Sequence, residues 1–298
     1  MATVGVLCAR GRVEEKALMA ALAEAGIVSA LFPPADEPLP IGPLPVAPNG
    51  QPFPVPQIVV DRHPNRQIAR AVLSTCRALG VPSLSAGIAA TGDRLDVAAA
   101  LSAAGLPRPL AALCTSEEAA LVAIQATGLP ATLLPLDLKQ PGITLLDEDA
   151  AEAVLEHRAV LGGTERTLGL IQAGAPVDGN LATVIVVDGV ASALTTAETT
   201  IAADGLRLAE AAARTLCADL VAVVIATGAA GPLVWDVQPV PNFRDALPLV
   251  DASVAETIAR AVRLRLDALA EARLPRHGGD EWIAIAREGM RGDVVVSA

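Results

Sequence analysis

The chain has 298 residues, 52% of them hydrophobic and only 2% aromatic, with 22 basic against 33 acidic side chains and a formal net charge of −11. It can bury a sizeable core, and it exceeds the roughly 250 residues at which single cores stop growing, so two or three units are expected. The negative charge repels phosphate backbones and the lack of tyrosine removes stacking platforms for single strands, so no nucleic-acid partner is expected.

Residues 3–8 form a short apolar run that reads as a buried strand, and 13–25 carry helical periodicity stopped at Gly26. Ten prolines fall within 33–56, which points to an extended surface connection rather than helix or sheet interior. A strand at 58–60, a helix at 66–79 before Gly80 and a strand at 83–84 complete a strand–helix alternation. That alternation implies a small parallel sheet covered by helices, occupying residues 1–87.

Helices are expected at 93–104, ahead of Gly105 and Pro107, and at 116–127, where Ser116 is the cap and Glu117 and Glu118 sit in the first turn. Strands at 131–134 and 143–145 flank a loop, a helix follows at 149–161, and residues 88–165 read as a compact α+β lobe. In 166–298, strands are expected at 167–171, 181–188 and 190–194, the last two joined by a tight Asp188-Gly189 turn. A helix at 206–216, a hairpin of 220–226 with 232–237 and a long amphipathic helix at 253–272 follow. This lobe is expected to be antiparallel with its helices on one side, and a polar tail ends in the apolar 294–296.

The uncharged apolar run 220–235 contains Gly228, Gly231 and Pro232 and is too short and broken to span a bilayer. The N-terminus lacks a basic segment followed by an apolar stretch, so a cytoplasmic protein with no membrane contact is expected. Cys8, Cys76, Cys114 and Cys217 lie far apart among apolar neighbours and read as buried free thiols. His63, His157 and His277 form no zinc pattern. Arg62, Arg66 and Arg70 read as solvated surface, and Trp235 and Phe243 as core.

A parallel first unit, a small α+β lobe and an antiparallel lobe, in that order, resemble the layout of ATP-grasp enzymes. The likeness extends to residues 12–22, to the strand and arginine at 58–62, to Thr91-Gly92-Asp93-Arg94-Leu95 before a helix, to Gly105-Leu106-Pro107-Arg108-Pro109 and, above all, to 150–162 (AAEAVLEHRAVLG). These resemble the RimK/LysX branch, ATP-dependent carboxylate-amine ligases, over residues 3–245. The resemblance implies an α/β and α+β fold, a parallel-sheet domain preceding two ATP-grasp lobes. It also implies ATP and Mg²⁺ as cofactors, and ligation of an amine such as an amino acid to a carboxylate, in amino-acid biosynthesis or peptide-tail modification.

Forming an acyl phosphate requires cationic side chains on the phosphates and carboxylates to hold a divalent cation. Against the family pattern, Arg94 stands where the first phosphate lysine is expected and Leu134 where the second is. The stretch 136–142, with one glycine and Pro141, replaces the glycine-rich loop that covers the phosphates. Lys139 in that stretch is one of only two lysines, the other being Lys16. Gln172 keeps the glutamine of the adenine-reading hinge, while Ala173 replaces its acid. Val221-Ala222-Val223-Val224 lacks the expected aspartate, the next acid aligns with Thr227, and Asp236 and Gln238 stand where Glu and Asn are expected.

The cofactor-binding candidates are therefore Arg94, Lys139 and Gln172, and the metal candidates Asp236 and Gln238, with no catalytic residue assigned. The joint loss of ligands predicts a pseudoenzyme that binds Mg·ATP weakly or not at all and works through a protein partner such as an active paralogue. The alternative is a divergent active carboxylate-amine ligase. A homodimer is expected. At −11 the chain repels an acidic carrier protein beyond the screening length unless its arginines cluster.

Overall fold

The computed structural model describes residues 4–33, 39, 55–167, 169–176, 180–195, 201–228 and 231–273. Most of the proline-rich stretch 33–56 and the tail with its apolar end lie outside the described residues.

The apolar runs VGVL and IVVD are buried on both faces, as strands inside a helix-covered parallel sheet must be. They form β1 (Val4–Leu7) and β3 (Ile58–Asp61), which pair in parallel with Val4 opposite Ile58 and Leu7 opposite Asp61. With β2 (Ser29–Phe32) and β4 (Ser83–Leu84) the order is β2-β1-β3-β4. Strand β2, absent from the sequence expectation, is a short, half-exposed edge strand of four residues. Helices α1 (Val13–Glu24) and α2 (Arg66–Ala78) accompany this sheet. Asn65 caps α2 by accepting from the amides of Gln67 and Ile68 at 3.0 and 3.2 Å.

A 3₁₀ turn, Gly87–Thr91, leads to α3 (Arg94–Ala103), where Asp93 caps the helix by accepting from the Leu95 amide at 2.8 Å. The small lobe continues through β5 (Ala111–Cys114), α4 (Glu117–Thr127), β6 (Ala131–Pro135), β7 (Ile143–Leu145), α5 (Glu148–Thr167) and β8 (Gly169–Ala173). Its sheet is antiparallel in the order β5-β8-β6-β7. The strand near 167–171, grouped by sequence with the third unit, thus completes the second sheet, because β5, a partner without a local signature of its own, lies ready to pair with it.

The third sheet comprises β9 (Leu181–Val187), β10 (Val190–Leu194), β11 (Leu220–Gly228), β12 (Gly231–Gln238) and β13 (Leu247–Pro248), in the order β12-β11-β9-β10-β13. Asp188 and Gly189 turn β9 into β10 with φ of 50° and 80°, the two positive values a tight hairpin turn of this kind requires. The remaining helices are α6 (Ala203–Thr215) and α7 (Val254–Arg273).

Alternation along β9 decides the layering. Val184 and Val186 pack into one core with Leu208, Ala209 and Ala212 of α6, while Ile185 and Val187 pack into another with Ile258 and Val262 of α7. Helices therefore cover both faces of the third sheet, not one side as its sequence suggested. Leu7 and Val59 join the first core, and Val4, Val6 and Ile58 the second, so the first and third sheets share their hydrophobic interior. The small lobe has a core of its own around Ile124, Leu133, Leu145 and Ile171.

Three side-chain expectations change. Arg62 and Arg66 are buried rather than solvated, and Arg70 alone of the three is exposed. Cys76 and Cys114 are buried and Cys8 half-buried, but Cys217 is exposed because it sits at φ 51° in the turn that ends α6. Phe243 is core, whereas Trp235 is only partly buried.

Candidate functional site

Arg94 enters the cleft from the first turn of α3, a position held by two loop contacts. Its own amide donates to the Leu136 carbonyl at 2.7 Å, and the Leu138 amide donates to the Gly92 carbonyl at 2.9 Å. Asp236 approaches from β12 across a β-bulge, where Trp235 is the extra residue opposite the Val224–Ile225 step. Such a bulge re-aims the side chains beside it.

The two meet. Arg94 Nε donates to Asp236 Oδ1 at 3.2 Å and Arg94 Nη2 to Oδ2 at 3.1 Å, the bidentate geometry that suits a guanidinium and a carboxylate. Nη1 donates to the carbonyls of Pro135 and Asp137, and Nη2 also to that of Gln140. Every donor direction of this buried guanidinium is thereby committed to protein oxygens. Asp236 Oδ1 additionally accepts from the Val237 amide at 2.9 Å.

The loop between β6 and β7 is held by the same arginine. A loop that cradles phosphates presents amide N–H groups to them, whereas here Pro135, Asp137 and Gln140 turn carbonyls onto Arg94. Asp137 uses its side chain to accept from the Lys139 amide at 2.9 Å, a local turn that leaves the Lys139 side chain exposed.

These residues do not fit a Mg²⁺ ion bridged to a triphosphate. Magnesium requires carboxylate oxygens alongside phosphate and water, and Asp236, the carboxylate named as a metal candidate, is engaged by Arg94. Burial lowers the proton affinity of the Arg108 guanidinium while Asp236 raises it, so a second arginine lies in the field of the same carboxylate. Gln238, the other metal candidate, is exposed on β12. Among the described residues no group of three or more His, Cys, Asp or Glu side chains is arranged to hold a metal.

The space behind the pair, around Gln172, is equally filled. Leu134, at the place of the expected second lysine, is buried and packs with Ala98 and Leu170. Gln172 is 1% exposed. It donates weakly to the Trp235 carbonyl at 3.4 Å, while its Oε1 has no partner. The space that Gln172 shares with Arg94, Leu134 and Trp235 measures about 20 Å³, room for about one water and far too little for an aromatic base.

A larger cavity of about 480 Å³ opens in front of the pair, lined by Arg94, Lys139, Asp236 and Gln238. Four of the five residues named from the sequence are thus brought together, and Gln172 lies behind them in the smaller space. Residues of the first domain that sequence reasoning did not name as site residues complete the wall: Arg10, Arg12, Glu14, Glu15, Arg62 and Arg66. A signal for them existed, since Arg10, Arg12 and Arg62 follow directly on two strands of a parallel sheet, the ends at which open α/β sheets take ligands.

Arg62 and Arg66 anchor this wall. Arg62 Nε bonds Glu15 at 3.3 Å, its Nη1 donates to the Pro241 carbonyl, and its guanidinium stacks 4.6 Å from the centre of the Phe243 ring. Burial lowers the proton affinity of Arg62, with Glu15, Glu14 and Asp61 acting against that. Arg66 bonds Asp61 at 2.5 Å, the His63 carbonyl at 2.7 Å and the Ala90 carbonyl at 2.9 Å.

Three sheets in this arrangement, with a cleft between the second and third, define an ATP-grasp fold. Solved structures share this fold. A RimK domain ATP-grasp protein from Sphaerobacter thermophilus DSM 20745 is 26% identical over 87% of this chain and 99% of its own, at a TM-score of 0.68. The ATP-grasp ligase PsnB, in complex with precursor peptide PsnA2 and AMPPNP, is 15% identical over 89% of this chain and 97% of its own, at a TM-score of 0.64. The D-alanine–D-alanine ligase of Bacillus anthracis is 13% identical over 88% of this chain and 93% of its own, at a TM-score of 0.57. No protein-family model matches the chain. Among the described residues no helix is long and apolar enough to cross a membrane.

Proposed function

We propose that this chain is a RimK-like ATP-grasp pseudoenzyme, which binds Mg·ATP weakly or not at all and acts by associating with another protein, such as an active paralogue. The observation that carries this reading is the Arg94–Asp236 pair, in which the candidate phosphate ligand neutralises the candidate metal ligand. A magnesium ion placed at Asp236 would face a committed guanidinium, and a phosphate placed at Arg94 would have to displace a carboxylate and three carbonyls. The buried Leu134 and the filled space around Gln172 support the same reading. A cytoplasmic setting and a homodimer belong to it as well.

Calorimetric titration with Mg·ATP, paired with an assay of ADP release in the presence of amines and carboxylates, tests the proposal. The expected result is no saturation in the micromolar range and no ADP release. Micromolar or tighter affinity together with amine-dependent ADP release would remove the reading.

The gathering of Arg94, Lys139, Asp236 and Gln238 around one cavity favours a second reading, a divergent active ligase that opens this pair when substrates bind. Under it, Asp236→Ala abolishes ADP release. Under the first reading, there is no activity for the substitution to abolish.

A further inference from the structure

We propose that the cavity of about 480 Å³ is a metal-independent binding site for a small organic polyanion, a compound carrying two or more carboxylate or phosphate groups. The inference deepens the pseudoenzyme reading and rests on it, because it gives the same cleft a ligand that needs neither nucleotide nor magnesium.

The position comes first. The order β2-β1-β3-β4 means that the chain leaves β1 toward β2 on one side and reaches β3 on the other. The crevice past the carboxyl ends of β1 and β3 is therefore the topological switch point of the first sheet, the place where open parallel sheets bind ligands. Arg10 and Arg12 follow β1, and Arg62 and Arg66 follow β3, all lining this crevice. Its volume lies within the roughly 300–1,000 Å³ typical of small-molecule sites.

The charge comes second. In a chain of net charge −11, six cationic side chains and three carboxylates line this one concavity. Arg62 and Arg94 are ion-paired to Glu15 and Asp236, and Arg66 to Asp61 just beneath. Among the described residues no carboxylate lies within ion-pair distance of Arg10, Arg12 or Lys139, and all three are exposed. The opposing group is Glu14, a half-buried carboxylate in the same wall. Three uncommitted cations against one carboxylate leave a positive concavity on an acidic protein, and a concave low-dielectric wall focuses that field on an entering anion. The buried pairs beneath give the wall stiffness, so the three free side chains project from a fixed base.

The test is calorimetric titration of the full chain, in EDTA, with citrate as the carboxylate probe and inorganic pyrophosphate as the phosphate probe. Saturable binding of at least one probe is expected, weakened by added salt, and its identity distinguishes carboxylate from phosphate recognition. Arg10→Ala, Arg12→Ala and Lys139→Ala should each weaken binding by roughly tenfold or more, the size of a lost charge-assisted hydrogen bond. All three positions are exposed, so the variants retain the fold. Arg77→Ala, exposed on α2 away from the cavity, should leave affinity unchanged.

Failure of both probes to bind, or binding insensitive to all three substitutions, overturns the proposal. If neither probe binds and Mg·ATP does not bind either, this inference falls and the pseudoenzyme reading stands. If added Mg²⁺ is required for pyrophosphate binding, metal independence is wrong and the pseudoenzyme reading falls with it.

Discussion

Arg94 and Asp236, 142 positions apart in sequence, join the small lobe to the third sheet through hydrogen bonds of 3.2 and 3.1 Å. The pair runs between a helix N-terminus in one lobe and a bulged strand in the other, and it joins the two residues that the family likeness led us to expect at a phosphate and at a metal.

The first expectation concerns that pair. Removing one member of a buried ion pair leaves an uncompensated charge, a loss of roughly 3–5 kcal/mol, reduced here because Asp236 keeps 24% of its side chain exposed. Asp236→Ala and Arg94→Met should each lower the urea midpoint clearly. The double variant should be less destabilised than the two singles added together, by a coupling of about 0.5–3 kcal/mol. Strict additivity would mean that the pair is not formed in solution.

Reinstating the expected lysine should not reinstate the site. In Leu134→Lys an ammonium would replace an apolar side chain that is 3% exposed and packed on Ala98 and Leu170. Burying it unpaired costs several kcal/mol or drives it neutral. Thermal unfolding should occur at lower temperature, with no Mg·ATP binding gained. A gain in Mg·ATP affinity would show that the space behind Leu134 opens readily.

Gly87 should tolerate no side chain. It lies at φ 56°, and an added Cβ would collide with the carbonyls of Leu216 and Cys217, in the segment where the first domain meets the third sheet. Gly87→Ala should fall in the tail of large single-substitution effects, more than about 4 kcal/mol, measurable by chemical denaturation. A loss under about 1 kcal/mol, the range of ordinary glycine substitutions, would mean that this junction is looser than described.

Thiol chemistry should separate the cysteines. Iodoacetamide on the native protein should modify Cys217 first and leave Cys76 and Cys114 untouched until unfolding, read by mass spectrometry of digests. Burial pushes the Cys76 thiol from 9.0 up to about 11, and also raises Cys8 and Cys114. A group whose folded pKa lies above its unfolded value stabilises the fold fully below the unfolded pKa, and that stability is lost as pH rises toward the folded one. Stability should therefore fall between about pH 9 and 11, and Cys76→Ala should make that fall shallower. An unchanged slope would mean that the Cys76 thiolate is accommodated in the folded core.

Much of the architecture was legible because it is written locally. Ser116 as a helix cap, Asp188-Gly189 as a hairpin turn and the apolar runs of β1, β3, β9 and β11 each announce themselves within a few residues. Strands β2, β5 and β13 were not legible, since they are short or partly exposed and owe their conformation to a neighbour rather than to their own pattern. Four of the five site residues named from the family likeness do meet at one cavity. That likeness reported which residues stand in place of the family's ligands, but not that two of them, Arg94 and Asp236, pair with each other.

The arginines mark the boundary between the two kinds of information. By itself the amino-acid sequence determined that the chain is rich in arginine, poor in lysine and acidic overall, and that it follows the ATP-grasp order of elements. Only the tertiary structure decided that Arg62 and Arg66 are interior anchors, that Arg94 closes on Asp236, and that Arg10, Arg12 and Lys139 are left facing a common cavity. The physical reason is that a buried guanidinium is defined by its acceptors, and these come from distant segments: the Pro241 carbonyl for Arg62, 179 positions away, and Asp236 for Arg94. Local periodicity carries helices and strands, but long-range ion pairs exist only after the sheets have been brought together.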